Sequence, residues 1–139
     1  MKKTNSDVTV IIPTLNEELG IGPTLRELRE VLEDPCYLVV DGHSVDGTVE
    51  LAKRRGARVV MQKDRGKGLA IAQALEHVDS GTRYVAFIDG DYTYPAGYIP
   101  KMIEVLEKNP EVGMVTGNRF NRRFALKEAM SDVYYLGNR

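Results

Sequence analysis

The sequence predicts an α/β fold, a mostly parallel sheet with helices on both faces. Three observations predict it. Short β-branched runs alternate with segments of helical periodicity; the runs are apolar on both faces, as strands covered on two sides require; and a polar or glycine-rich loop follows each run. At 139 residues, 42% hydrophobic and 28% charged, the chain has the length and composition of one soluble domain with its own core.

The elements come in order. Val8 to Ile12 reads as a buried strand ended by Pro13. Pro23 fits the first turn of a helix carrying Leu25, Leu28 and Leu32, stopped at Asp34-Pro35. Tyr37 to Val40 is a second strand, and Thr48 to about Arg55 a second helix, closed by arginines and Gly56. Arg58 to Met61 makes a third strand. Ile71, Leu75 and Val78 line a helix from about Gly68 to His77 or Val78. Tyr84 to Ile88 is the fourth strand, and a helix from Ala96 or Gly97 to Lys108 presents Ile99, Met102, Ile103 and Leu106. Val112 to Thr116 is a fifth strand, and Leu126, Met130 and Val133 suggest one more helix. Tyr134, Tyr135 and Leu136 then need cover, which a sixth element or a longer protein would give.

Charge and cysteine content exclude several classes. With 19 basic and 20 acidic residues, the net charge of -1 gives no general attraction to nucleic acid or anionic lipid. A lone cysteine, Cys36, makes neither an intrachain disulfide nor a thiolate cluster for zinc, so a reducing, intracellular setting is the default. The first apolar run is too short for a signal peptide, and none approaches the roughly 18 apolar residues of a membrane span.

The loops carry the chemistry. TLNEE, DGHSVDG, KDRGKG and DGDYTYP each follow a strand, which puts all four at the carboxyl edge of the sheet, where open α/β sheets bind ligands. Asp89 and Asp91 flank Gly90, and their carboxylates can converge on magnesium or manganese completed by water and phosphate oxygens. An ordinary strand-ending Asp turn is the competing reading. In DGHSVDGT, Asp41 can accept bonds from a base or a ribose, whereas Ser44 or Asp46 is more simply a helix cap. His43 is either a base or ligand, or merely exposed; His77, near a helix end, has no chemical part. Asn16, Glu17 and Glu18 belong to the first helical turn or face a nucleotide. Lys63, Arg65 and Lys67 bracket glycines before a helix and can meet a diphosphate or form a solvated turn. The P-loop pattern is absent. Arg119, with Arg122 and Arg123 nearby, adds cations suited to phosphate.

PTLNEE (13–18), DGHSVDGT (41–48), RGKGLAIAQAL (65–75), DGDYTYP (89–95) and GNRF (117–120), in this order, resemble family 2 glycosyltransferases of the GT-A fold, nearest the polyprenyl- or dolichyl-phosphate mannosyl- and glucosyltransferases. The resemblance covers nearly the whole chain and implies a Rossmann-like sheet. It implies that Pro13, Leu15 and Glu17 line the base or ribose pocket, that Asp41 contacts the base, and that Lys67 and Gly90 adjoin the nucleotide. Asp89 and Asp91 would hold Mg²⁺ or Mn²⁺ on the donor diphosphate, and Arg119 would approach the phosphates; these three are the expected catalytic residues. Two departures stand out: Gly42 replaces the second aspartate of the common DDxSxDGT, and Thr93 stands where a glutamine is frequent.

The implied reaction is metal-dependent inverting transfer of a hexose from GDP-mannose or UDP-glucose to a polyprenyl phosphate. A nucleotide-sugar-binding fragment without turnover and a transferase acting on a saccharide hydroxyl are the alternatives. The implied partners are a GDP- or UDP-linked donor, a lipid-phosphate acceptor at the membrane surface, no nucleic acid, and further copies in a homo-oligomer. The expected location is cytoplasmic, peripheral at the membrane face. Residues 1–139 would form the nucleotide-sugar-binding front portion of a longer domain. A nucleotidyltransferase would need basic residues in a glycine-rich loop after the first strand, and TLNEE has none. A purely structural protein would leave the clustered polar loops unexplained.

Overall fold

A computed structural model of the chain describes residues 7–117 and 134–137. The chain divides into two compact units, Met1–Gly97 and Tyr98–Arg139. The first is built on four parallel strands, β1 (Val8–Thr14), β2 (Cys36–Asp41), β3 (Arg58–Met61) and β4 (Tyr84–Phe87), in the order β3-β2-β1-β4. β1 and β2 occupy the centre, and Val10, Ile11, Ile12, Leu38, Val39 and Val40 have no exposed surface. Each such side chain contributes about 1.5–3 kcal/mol of burial.

Helix α1 (Glu18–Val31) follows β1, α2 (Thr48–Arg54) follows β2, and α3 (Lys67–Leu75) follows β3. One face of the sheet packs Ile11, Leu38 and Val40 against Ala70 and Ala74 of α3. The small alanines let α3 lie close to the strands. Val10, Ile12 and Val39 point to the opposite face, and Ile21, Leu25 and Leu28 of α1 are buried as well.

Sequence expectations shift at several ends: α3 stops at Leu75, short of His77, and the first strand and helix depart further. β1 runs through Pro13 to Thr14 instead of ending at Ile12. The Ile88 amide bonds the Ile11 carbonyl, so Pro13, two residues on, also turns its nitrogen toward β4. Pairing with β4 stops at Ile11, and the missing donor therefore costs no ladder bond. α1 starts at Glu18, five residues before Pro23, which makes that proline internal. Caps supplied by Asp46 and Thr48 from the segment after β2 start the helix early.

The second unit holds α4 (Ile99–Lys108), preceded by a 3₁₀ turn at Ala96–Tyr98, then β5 (Val112–Thr116) and β6 (Tyr134–Gly137). β5 has the expected bounds, but it pairs antiparallel with β6 in a two-stranded sheet of its own instead of extending the parallel one. The helix expected around Leu126 to Val133 lies outside the described residues, as does Arg119.

Gly20 has a specific packing reason. A Cβ there would stand 2.6 Å from the backbone of Asp91 and from the Gly90 carbonyl oxygen, because the DGD turn rests directly on α1. Gly68, in the first turn of α3, has nothing within 4 Å. Gly20→Ala is therefore expected to destabilise the protein by about 1–3 kcal/mol, whereas Gly68→Ala stabilises it by roughly 0.5–1 kcal/mol. Urea denaturation of the two variants checks the contrast.

Candidate active site

Loops after the four parallel strands enclose a cleft of about 840 Å³. Pro13, Thr14, Leu15 and Glu17 line it from the first loop and Gly42 and His43 from the second; Gln62 to Lys67, with Ala70 behind them, form the third side and Asp89, Gly90 and Asp91 the fourth. The structure thus brings together Pro13, Leu15, Glu17, Lys67, Asp89, Gly90 and Asp91 of the sequence-predicted site residues, whereas Asp41, Asn16 and Glu18 do not line the cleft.

Asp41 is fully buried at the end of β2. Its Oδ1 accepts from the Thr14 hydroxyl at 2.8 Å and the Ser44 hydroxyl at 2.6 Å, and its Oδ2 from the Ser44 amide at 2.7 Å. These donors hold the end of the first strand against the second loop. Asp41 itself does not line the cleft; its neighbours Gly42 and His43 do.

More bonds join the two loops. The Asn16 amide donates to the Ser44 hydroxyl, and the Val45 amide to the Asn16 side-chain oxygen. Asp46 accepts from the Glu18 amide through Oδ2 and from the Thr48 amide through Oδ1, capping the starts of α1 and α2 together. The Thr48 hydroxyl also takes the Glu17 amide. Asp46 is thus the cap that its position suggested, shared between two helices, while Ser44 serves Asp41. Glu17 is left at the lip of the cleft. Its carboxyl is pushed above the usual range, first by burial and then by the charges of Asp91, Asp46 and Asp89.

The third loop is held by amides that motif reading passed over. Gln62 donates to the Gly66 carbonyl at 2.7 Å and closes the KDRG turn. Gln73 of α3 accepts the Lys63 amide and donates to the Met61 carbonyl. His43 donates from Nε2 to the Gln62 carbonyl at 2.7 Å, latching the second loop to the third. The available signal was a glutamine on the alanine-rich, buried face of α3, where an amide must find partners.

In the fourth loop, Asp89 pairs with the ammonium of Lys67 across the cleft. Asp91 receives the Thr93 hydroxyl at 2.6 Å and the Thr93 amide at 3.1 Å, both on Oδ1. Those bonds, the hydroxyl's foremost, hold its carboxyl below the usual range despite some desolvation, and Lys67 adds to the effect. The turn reading and the cation reading are therefore compatible: one oxygen shapes the turn while the carboxylate stays exposed at the cleft. Gly90 packs beneath them, where a Cβ would stand 2.8 Å from the Thr14 methyl.

A model of glycosyl transferase family 2 matches residues 9–134. The chain is 39% identical over 133 residues to the glycosyltransferase AglJ of Haloferax volcanii, covering 95% of this chain and 42% of that protein. It is 33% identical over 119 residues to a dolichyl-phosphate hexose transferase of the same organism, covering 86% and 50%. The chain thus spans half or less of the length of these relatives. Among solved structures, glucosyl-3-phosphoglycerate synthase from Mycobacterium tuberculosis, in complex with Mn²⁺, UDP-glucose and phosphoglyceric acid, matches with a TM-score of 0.65 at 27% identity, over 76% of this chain and 41% of that one.

Asp41→Ala would strand three donors, so a loss of roughly 2–4 kcal/mol is expected in urea denaturation, against little change for the exposed Asp91→Ala. Glu17 makes a pH-dependent contribution. Its raised pKa means the folded chain holds that proton more tightly than the unfolded one, so stability is lost as pH rises from about 4.5 through the folded value. Glu17→Gln should match the parent protein near pH 4 and melt higher near pH 7; paired thermal melts across that range provide the check.

Proposed function

The chain belongs to glycosyl transferase family 2, with a GT-A type fold, and from that premise we propose that it takes part in metal-dependent inverting transfer of a hexose from a nucleoside diphosphate sugar to a polyprenyl or dolichyl phosphate. The observation that carries the reading is that Asp89, paired with Lys67, and the exposed Asp91 both line a cleft at the carboxyl ends of four parallel strands.

The residues fit a divalent ion. Asp89 already holds a cation, the Lys67 ammonium, and Glu17 feels surplus negative charge from both aspartates. No group of three or more His, Cys, Asp or Glu able to hold a metal occurs among the described residues. Two carboxylates with room for water and phosphate oxygens form the donor set of Mg²⁺ or Mn²⁺ in phosphate sites. When bound, the ion would supply charge against the departing diphosphate.

The chain's own groups do the rest. Pro13, Leu15 and Glu17 would border the base and ribose, with Gly42 and His43 across from them and Asp41 fixing both loops from below. Lys67, with Lys63 and Arg65 on the same loop, would face the diphosphate and stabilise the charge that grows as the glycosidic bond breaks. Arg119 would add to this. A phosphate acceptor is already anionic near neutral pH, so its attack needs no general base. The donor is GDP-mannose or UDP-glucose; the UDP-glucose complex of the structural neighbour supports the latter, and the hexose transferase relative supports the lipid phosphate. No helix among the described residues is long and apolar enough to cross a membrane; a lipid-phosphate acceptor would place the chain at the membrane's cytoplasmic face.

The second reading is donor binding without turnover. The two separate experimentally. Calorimetry with UDP and GDP, with and without Mn²⁺, should show metal-dependent affinity for one nucleotide, reduced roughly tenfold or more in Asp89→Asn and Asp91→Asn. Transfer of labelled hexose to polyprenyl phosphate then distinguishes turnover from binding. Equal affinity with and without metal, or in both variants, would refute the site.

A further inference from the structure

We infer that Lys67 is the resident counter-ion of the metal site, which a divalent cation must displace and which passes to the donor's diphosphate, so that metal and nucleotide bind cooperatively through this one side chain. The inference rests on the metal reading of Asp89 and Asp91.

Asp89 is only 30% exposed, and a carboxylate partly withdrawn from water at a lip that also carries Asp91 and Glu17 needs a positive neighbour. Lys67 provides it. Its side chain is 59% exposed and stands at the first position of α3, after Gly66, whose positive φ of 103° turns the loop into the helix. A lysine is a flexible point charge, and it can leave Asp89 without moving the backbone.

Without nucleotide, a divalent ion reaching Asp89 must break this pair and leave Lys67 to solvent. With a diphosphate in the cleft, Lys67 has phosphate oxygens to turn to, and Asp89 is already released. The cost of displacement is then met by the nucleotide, and by linkage the metal favours the nucleotide by the same factor. A lysine that only contacted phosphate would not affect the metal alone.

The test is a set of Mn²⁺ titrations of the full chain and of Lys67→Met, followed by the electron paramagnetic resonance signal of free Mn²⁺, with and without UDP or GDP. Exposed ion pairs are weak, so the variant is expected to bind Mn²⁺ alone about two- to fivefold more tightly, and the nucleotide's enhancement of Mn²⁺ affinity should fall by a similar factor. Lys67→Arg should behave like the parent. Because Lys67 is exposed, matched thermal melts are expected to show both variants folded. Unchanged or weaker binding of Mn²⁺ alone to Lys67→Met overturns the exchange while leaving the metal site standing. No binding of Mn²⁺ to the parent chain even with nucleotide refutes the metal reading itself, and the exchange with it.

Discussion

A carboxylate with no exposed surface is tolerable only when donors replace the water it has lost, and Asp41 meets that condition with three. Two of the donors come from Ser44, three residues further on, and the third from Thr14 at the end of the neighbouring strand. The demand of one buried charge therefore fixes both the curl of the second loop and its seat against the first. Asn16 and Ser44, Glu17 and Thr48, Glu18 and Asp46 then pair in sequence along the same seam. Release of the carboxylate would leave the lip of the cleft without its anchor.

This seam also accounts for α1. The helix begins before its proline, with two glycines in its first turns and no side-chain cap from its own N-cap residue. Those are poor local credentials. Asp46 and Thr48 supply from outside the partners that the leading amides lack, and Gly20 lets the backbone of Gly90 and Asp91 approach the helix where any side chain would collide. Local propensity yields here to the need to bring the fourth loop close to the first.

The alternation of strands and helices was legible because β-branched runs and helical periodicity act within one segment. β1, β2, β3, β4 and β5 were each found to within two residues. Which sheet a strand joins is a nonlocal matter, and β5 shows it: its bounds were readable, whereas its antiparallel partner, Tyr134–Gly137, was not. The site divides in the same way. Acidic and glycine-rich loops announced the cleft, but Gln62 and Gln73 act through backbone groups made neighbours by folding. Asp41 reads in the sequence as an acceptor for a base or a ribose; that its carboxylate takes donors from Thr14 and Ser44 depends on strands and loops brought together by folding.

The cleft's charge pattern constrains what it can hold. Glu17 lines it from the first loop and Asp89 and Asp91 from the fourth, while the third brings Lys63, Arg65 and Lys67 with Asp64 among them. A simple anion would be repelled by the carboxylates, and a cation alone must compete with Lys67 for Asp89. A ligand that brings a cation and a polyanion together satisfies both sets, because the ion answers the carboxylates while the anion's remaining oxygens answer the ammonium and guanidinium groups. A metal-bound diphosphate has that composition, and its apolar-edged base would find Pro13 and the exposed Leu15 on the adjoining wall. On the proposed reading such a composite ligand is the one that both sets of groups suit, and each set is placed by the strand that its loop follows.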